Sequence, residues 1–539
     1  MAAIAMAVAT GAAPAQILEP QVLVVYDSRL ADSKAVAEYY AGSNRIPGAT
    51  GAFKGTRPGV RVMDLSAWGA GAIAPGDISY AGFVSNIRTP IRGYLTQNKL
   101  AQTIRVIVLT KGLPHRVQDL NSAAVGDNPA QSVNAWNASN YSAASVDSEL
   151  TLLWQNLSAG EANGGADSKA DGLVINPFYK STTALVTRSS ANITTPKVFT
   201  LTLSPGPYWR AASNANAADN LTAGDIYLVC RLDGKTVADV RAMIDRGKDP
   251  YVNMSGVALL FDESNANGTV DSFQNSEFDN QGDAWVRTND DYESTRDFLL
   301  NSDRRFASST VQYDQFGGGN NFFVGPNLPS GVSWNPTVRL ITNPVLLIAS
   351  YGANHSGLPT RTDGQAAGTT YASTFTYAPG AIFNTIESYN GRALGGLGQN
   401  QFAAQQQAAD FIAAGGTFAV ANVWEPFAIS VPKNFWIVRN FYLGTMTWAE
   451  AAYSGIPCLS WHQIVLGDPL ARVQRSTDDV NGDGAVDIED LYTWERLFAD
   501  APTDARLDVN RDNARNNADR VSLTNTLRAG ENYILRYRE

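Results

Sequence analysis

The sequence is short of several residue types, and each shortage narrows what the protein can be. Two cysteines in 539 residues exclude a disulfide framework. Cys230 lies in an apolar run and Cys458 follows Ile456 and Pro457, so both read as small buried hydrophobes. Charged residues make up only 17%, and the 41 basic ones are outnumbered by 51 acidic ones, which excludes a basic nucleic-acid binder. No run approaches the roughly 18 continuous apolar residues of a spanning helix, so no membrane span is expected. What is present, 44% hydrophobic residues over more than one domain's length, supplies one or two large cores and excludes wholesale disorder.

The formal net charge of -10 is unevenly placed. Residues 478–519 hold 12 acidic residues and four arginines, a net -8, and residues 520–539 carry +2, which leaves -4 for residues 1–477. At the other end, residues 2–15 are small and weakly polar and end in Ala13, Pro14 and Ala15. That pattern fits the apolar region and cleavage site of a secretory signal, although no positive segment precedes it; the alternative is an Ala-rich leader. On the signal reading, residues 1–16 are a leader and the protein works outside a bacterial cell or on its surface.

Between these ends, short β-rich apolar runs alternate with amphipathic stretches, the signature of parallel α/β architecture. Strands are predicted at 21–27, 104–110, 226–231, 256–261, 344–350, 381–386 and 417–422. Helices are predicted at 33–40, with Ser33 as N-cap, and at 87–95, 236–244, 292–300, 401–414 and 448–452. Residues 120–225 read as long surface excursions around a few strands. The expected fold is therefore α/β, with two parallel-sheet subdomains at 17–224 and 225–475. A small all-α calcium-loop module at 477–530 and a tail at 531–539 complete the chain.

The acidic segment carries the most specific pattern. Residues 479–490 fit a twelve-residue calcium loop, with Asp479, Asn481 and Asp483 at positions 1, 3 and 5 and Gly484 at the sharp turn. Ala485 would offer its carbonyl, Asp487 a direct or water-mediated ligand, and Asp490 the closing carboxylate. Beginning 29 residues later, Asp508, Asn510, Asp512, Ala514, Asn516 and Asp519 repeat the scheme, with Asn513 in place of the turn glycine. Two Ca2+ ions are expected. Ile488, Leu491, Trp494 and Leu497 line one face of a helix that a second helix around 521–527 can cover. This duplicated pattern, with Asp closing each loop, resembles the type I dockerin over roughly residues 477–530. The resemblance implies a partner, a cohesin-like domain on a scaffold or cell-surface protein. Arg515 stands where that family usually packs an apolar residue, and 488–489 and 517–518 occupy its recognition positions.

In a parallel α/β sheet, ligands bind beyond the carboxyl ends of the strands. Three strong strands lead into His355, into Glu387 and Ser388, and into Glu425. Ser388 as nucleophile, His355 as base and Glu425 as the orienting group form the candidate catalytic set. The plainer alternatives are a turn histidine, a capping serine and a glutamate paired with arginine. There is no G-x-S-x-G elbow, H-E-x-x-H, P-loop or dinucleotide fingerprint. His115 and His462 read as structural.

The order of motifs over about residues 20–475 resembles an uncharacterised family of exported bacterial proteins. The matching segments include Arg45-Ile46-Pro47, residues 108–114, Glu387-Ser388-Tyr389, Trp424-Glu425-Pro426 and Gly467-Asp468-Pro469-Leu470. The second half is more distantly similar to the gingipain (C25) peptidases, whose caspase-like domain places His after one strand and the catalytic Cys after the next. Carried over, His355 falls near that His, and Glu387 and Ser388 stand near the Cys position; neither is Cys. Two readings follow. One is a secreted calcium-binding dockerin-type protein whose caspase-like body serves without peptidase chemistry. The other is a hydrolase: a serine peptidase or esterase using Ser388 and His355, or a glycan-degrading enzyme of a cellulosome-like system, for which Glu387 and Glu425 are the only strand-end carboxylates.

Overall fold

The structure is a computed structural model that describes residues 17–118, 144–155, 174–185, 193–197, 200–202, 209–211, 221–252, 254, 256–262, 291–303, 305–314, 323–327, 339–350, 371–395, 407–424, 426, 430–475, 478, 480–481, 486–510 and 514–529. Its centre is a single ten-stranded sheet. The strands are β1 (Val22–Tyr26), β2 (Arg61–Asp64), β3 (Val106–Thr110), β4 (Leu228–Leu232), β5 (Ala258–Asp262), β6 (Val311–Asp314), β7 (Val345–Ser350), β8 (Tyr377–Phe383), β9 (Phe418–Asn422) and β10 (Gln463–Leu466). Helices α1 (Ala31–Ala41), α2 (Thr89–Gln97), α3 (Val146–Thr151), α4 (Val237–Gly247), α5 (Asp291–Asp297), α6 (Ala408–Ala413), α7 (Asn434–Phe441) and α8 (Trp448–Gly455) accompany it.

The strand order is β6-β5-β7-β8-β9-β10-β4-β3-β1-β2. Every neighbouring pair is parallel except β9 with β10. That one antiparallel contact splits the sheet into two halves, β2-β1-β3-β4-β10 and β6-β5-β7-β8-β9, which begin with the same winding. In each, the chain's first strand is flanked by its second on the outside and its third on the inside. The segments 17–224 and 225–475, expected to carry a parallel sheet each, thus share one sheet. The strand β4, from the second segment, extends the first half, and β10 bridges the halves, so neither inner edge is left unpaired.

Uninterrupted apolar strands are what a sheet covered on both faces requires. In β1 and β3 every residue is buried. Alternation sends Leu23, Val25, Ile107 and Leu109 into one core with Ile91 and Leu95 of α2. It sends Val24, Tyr26, Val108 and Cys230 into the other, with Val36 and Tyr40 of α1. Ser33 is not the N-cap of α1: the helix begins two residues earlier after Leu30. Its buried hydroxyl instead accepts the Asp27 N–H at 2.9 Å and lies 2.7 Å from Thr110 Oγ1, tying the carboxyl ends of β1 and β3. Strand β8 starts earlier than the apolar run suggests, taking in Pro379 and Gly380. It stops at Phe383, and the next residue, Asn384, donates its side-chain amide to the Pro432 carbonyl at 2.9 Å.

Buried polar contacts hold distant segments together. After β10, Gly467 has φ +123 and lies so close to Phe418 that a Cβ would sit 2.5 Å from its ring. Next to it, Asp468 accepts the Tyr40 hydroxyl at 2.6 Å and Arg57 Nε at 2.9 Å, so the Gly-Asp-Pro segment acts as a structural tie to the first half. Arg231 of β4, fully buried, pairs with Asp147 of α3 at 2.7 Å and donates to the Leu113 and Pro114 carbonyls, each at 2.9 Å. Cys230 and Cys458 are free and buried, and burial pushes both thiols up, away from the reactive thiolate. Among the described residues, no helix is long and apolar enough to cross a membrane.

The acidic segment folds around two helices, α9 (Ile488–Asp500) and α10 (Asn517–Ala529), with a small core of its own. It consists of Val480, Leu491, Trp494, Leu507, Val509, Leu523 and Leu527. Ile488 and Leu497 pack against that core half-buried.

Candidate functional site

The two acidic loops are built alike, and the likeness extends to individual hydrogen bonds. Asp490 is buried; its Oδ1 accepts the Asn481 N–H at 3.0 Å and its Oδ2 the Asp487 N–H at 2.8 Å. Asp519 is buried in the same way, accepting the Asn510 N–H at 3.1 Å and the Asn516 N–H at 2.8 Å. In loop numbering, position 12 grips the backbone of positions 3 and 9 in both repeats. Position 9 then caps the following helix: Asp487 Oδ1 accepts the Glu489 N–H at 2.8 Å, and Asn516 Oδ1 the Ala518 N–H at 2.7 Å. Positions 2 (Val480, Val509) and 16 (Trp494, Leu523) are core residues in both repeats.

The donor set is all oxygen, the chemistry a hard divalent cation takes. Asp479, Asp483, Ala485 and Asp512 lie outside the described residues. Among the described residues, no group of three His, Cys, Asp or Glu side chains gathers closely enough to hold a metal. Asp508 is half-buried at the start of the second loop, and Ala514 and Asn516 are exposed.

In the body, Ser388 lies where a strand-end nucleophile is expected, half-buried in the turn that follows β8. The next residue, Tyr389, adopts φ +60, a costly backbone conformation for a bulky side chain. Around it the turn is braced. Tyr389 N–H donates to the Trp424 carbonyl at 3.0 Å, and Asn422 N–H donates to Asn390 Oδ1 at 2.6 Å. Asn390 Nδ2 donates to Thr385 Oγ1 at 3.0 Å, which in turn donates to Glu387 Oε2 at 2.7 Å. Glu387 is therefore a buried member of this brace. The ends of β7 and β8 meet where Ile386 N–H donates to the Ser350 carbonyl at 2.9 Å. His355 and Glu425 lie outside the described residues, as do residues 1–16 and 531–539.

His115 sits in a structural setting. It is buried, with Nε2 2.8 Å from the Arg392 carbonyl. Burial, reinforced by Arg116 and Arg231, pushes its pKa well below the usual range, so the ring is neutral at pH 7. His462 is also buried and stacks on Trp461 with centroids 3.6 Å apart. One feature escaped sequence reasoning: a cavity of about 500 Å3 at the carboxyl ends of β3 and β4, lined among others by Lys111, Asp233 and Arg392. The signal was the polar residue directly after each of these two strands, the same signal that singles out Ser388.

Comparisons with protein-family models, with curated proteins and with solved structures find no match for this chain.

Proposed function

We propose that this is a secreted, calcium-binding dockerin-type protein that docks through its C-terminal repeat to a cohesin-like domain on a scaffold or cell-surface protein. The observation that carries this reading is the repeated grip of Asp490 and Asp519 on positions 3 and 9 of their loops. Accidental acidity in a solvated linker would have no reason to reproduce it. Calcium, when bound, supplies the counter-charge that lets each loop's carboxylates converge, and its binding free energy becomes folding free energy for the small module. Asp479, Asn481, Asp483, the Ala485 carbonyl, Asp487 and Asp490 would hold one ion. Asp508, Asn510, Asp512, the Ala514 carbonyl, Asn516 and Asp519 would hold the other. Docking is supported by a second repeat-related pair. Tyr492 and Val521, both at position 14, are 59% and 48% exposed, so each repeat offers an apolar side chain to a partner. On this reading the α/β body is gingipain-like or caspase-like in its second half, without assigned peptidase chemistry.

Calorimetric titration of the full chain with calcium should show two binding events, and Asp490→Ala and Asp519→Ala should each leave one. Wild-type protein that takes up no calcium overturns the proposal. Binding to an immobilised recombinant type I cohesin should appear in calcium and vanish in chelator.

A second reading, a serine-type hydrolase using Ser388 with His355 and Glu425, is favoured by the half-buried Ser388 beside Tyr389 with its positive φ. A fluorophosphonate probe that labels wild type but not Ser388→Ala would support it; absence of labelling would remove it.

A further inference from the structure

The cavity at the carboxyl ends of β3 and β4 belongs to neither proposed site. Its volume of about 500 Å3 suits a small molecule. Its position is also the one where open parallel sheets bind ligands. The chain leaves β1 towards β2 on one side and returns to β3 on the other, and the crevice beside that reversal lies outside the carboxyl ends of the strands. Asp32 comes from the first turn of α1, Lys111 follows β3 directly, and Asp233 and Lys235 follow β4. Pro75 and Asp77, from the chain after β2, and Arg392 and Leu394, from the chain beyond Ser388 in the other half of the sheet, complete the wall.

The walls are set in advance of any ligand. Lys111 Nζ donates to the Gly234 carbonyl at 2.6 Å and lies 3.6 Å from Asp233 Oδ1. Lys235 Nζ donates to Asp410 Oδ1 at 2.6 Å. Arg116 pairs with Asp77 and also donates to the Arg392 carbonyl. An ammonium carries three N–H donors, so each lysine keeps donors beyond these bonds. Both remain within reach of the cavity, with side chains 12% exposed for Lys111 and 29% for Lys235. The lining holds four cationic side chains against three carboxylates, while His115 contributes no charge at pH 7. Pro75, Leu113, Ala393 and Leu394 add apolar surface between the charged groups.

We infer that this cavity is a binding site for a small organic anion, its charged head held by Lys111 and Lys235 and its carbon skeleton against Leu113 and Leu394. A carboxylate and a phosphate ester share this head-group chemistry. The test is a titration of the full chain with succinate and, separately, inorganic phosphate at constant ionic strength, read by melting temperature and by calorimetry. At least one anion should raise the melting temperature saturably, where sodium chloride at matched ionic strength does not. Response to succinate alone marks a carboxylate site, and response to phosphate alone a phosphate site. Lys235→Met, on the more exposed of the two lysines, should weaken the apparent affinity at least tenfold, and Lys235→Arg, which keeps a cation beside the buried Asp410, should largely restore it. Lys111→Met should weaken it as strongly. No saturable response to either anion, or an affinity unchanged in Lys235→Met, overturns the inference.

Discussion

The α/β body and the acidic C-terminal module reach a folded state by different means. The body buries strands on both faces, so that residues such as Val24 and Ile107 are inaccessible and the sheet carries the energetics. Some of its buried charged groups are paired within the protein, as Arg231 is with Asp147. Among the described residues, the module has seven buried apolar side chains, and two buried carboxylates that each accept two backbone N–H groups. A core that small is marginal by itself, which is why small modules so often depend on a metal. The calcium proposed for the module would bring part of its counter-charge from solution.

The sharpest way to break this comparison is to remove a counter-charge from the body. Arg231→Met leaves Asp147 buried and unpaired and should destabilise the body by about 3–5 kcal/mol in urea unfolding of the full chain. A loss below about 1 kcal/mol would show that the pair is not needed for the packing around it. Next in size is removal of the external counter-charge. Calorimetric melting in calcium at about 100 times the dissociation constant should stabilise the module by about 2.7 kcal/mol for each loop filled, relative to chelator. The body's transition should stay where it was; a body transition that moves as far as the module's would erase the distinction.

Acid should then separate the regions by a different group. The pKa of His115 is lowered in the folded body, so between that lowered value and about 6.5 the unfolded chain binds a proton that the folded one does not. This contribution is present in full above about 6.5 and is lost as pH falls below it, at up to about 1.4 kcal/mol per pH unit. His115→Gln should flatten the body's stability profile over that interval by up to this slope; an unchanged profile would mean the ring is charged in the fold. The smallest effect belongs to the module's surface. Arg520 and Glu495 pair across α10 and α9 with both side chains exposed, and Arg520→Ala should cost about 0.2–1 kcal/mol, less as salt is raised.

Much of the body was legible in its sequence because local pattern and tertiary burial agree. The runs that became β1, β3, β7 and β9 are buried throughout and apolar apart from the polar last residue of β3, β7 and β9, and Thr236, the first residue of a predicted helix, is the N-cap of α4. Ser33 misled because a serine ahead of an amphipathic stretch looks the same whether it caps the helix or reaches across to neighbouring strands. In the module, the twelve-residue spacing singled out Asp490 and Asp519, since that spacing is a local property. The grip of Asp490 on two backbone N–H groups was not readable, because it depends on how the loop closes. Nor was the cavity: Lys111, Lys235 and Arg392 are far apart in the chain, and nothing in the residues around any of them marks the others.

The sequence alone placed seven of the ten strands of the central sheet, leaving out β2, β6 and β10, and showed that the acidity belongs to one repeated segment. These follow from periodicity and spacing within a few residues. Only the tertiary structure decided that both α/β segments share one sheet, that β10 joins its halves by running against β9, and that a cavity forms where β3 and β4 end. The reason is physical. An apolar run such as that of β10 satisfies a parallel or an antiparallel neighbour equally well, and the choice rests on contacts between residues hundreds of positions apart.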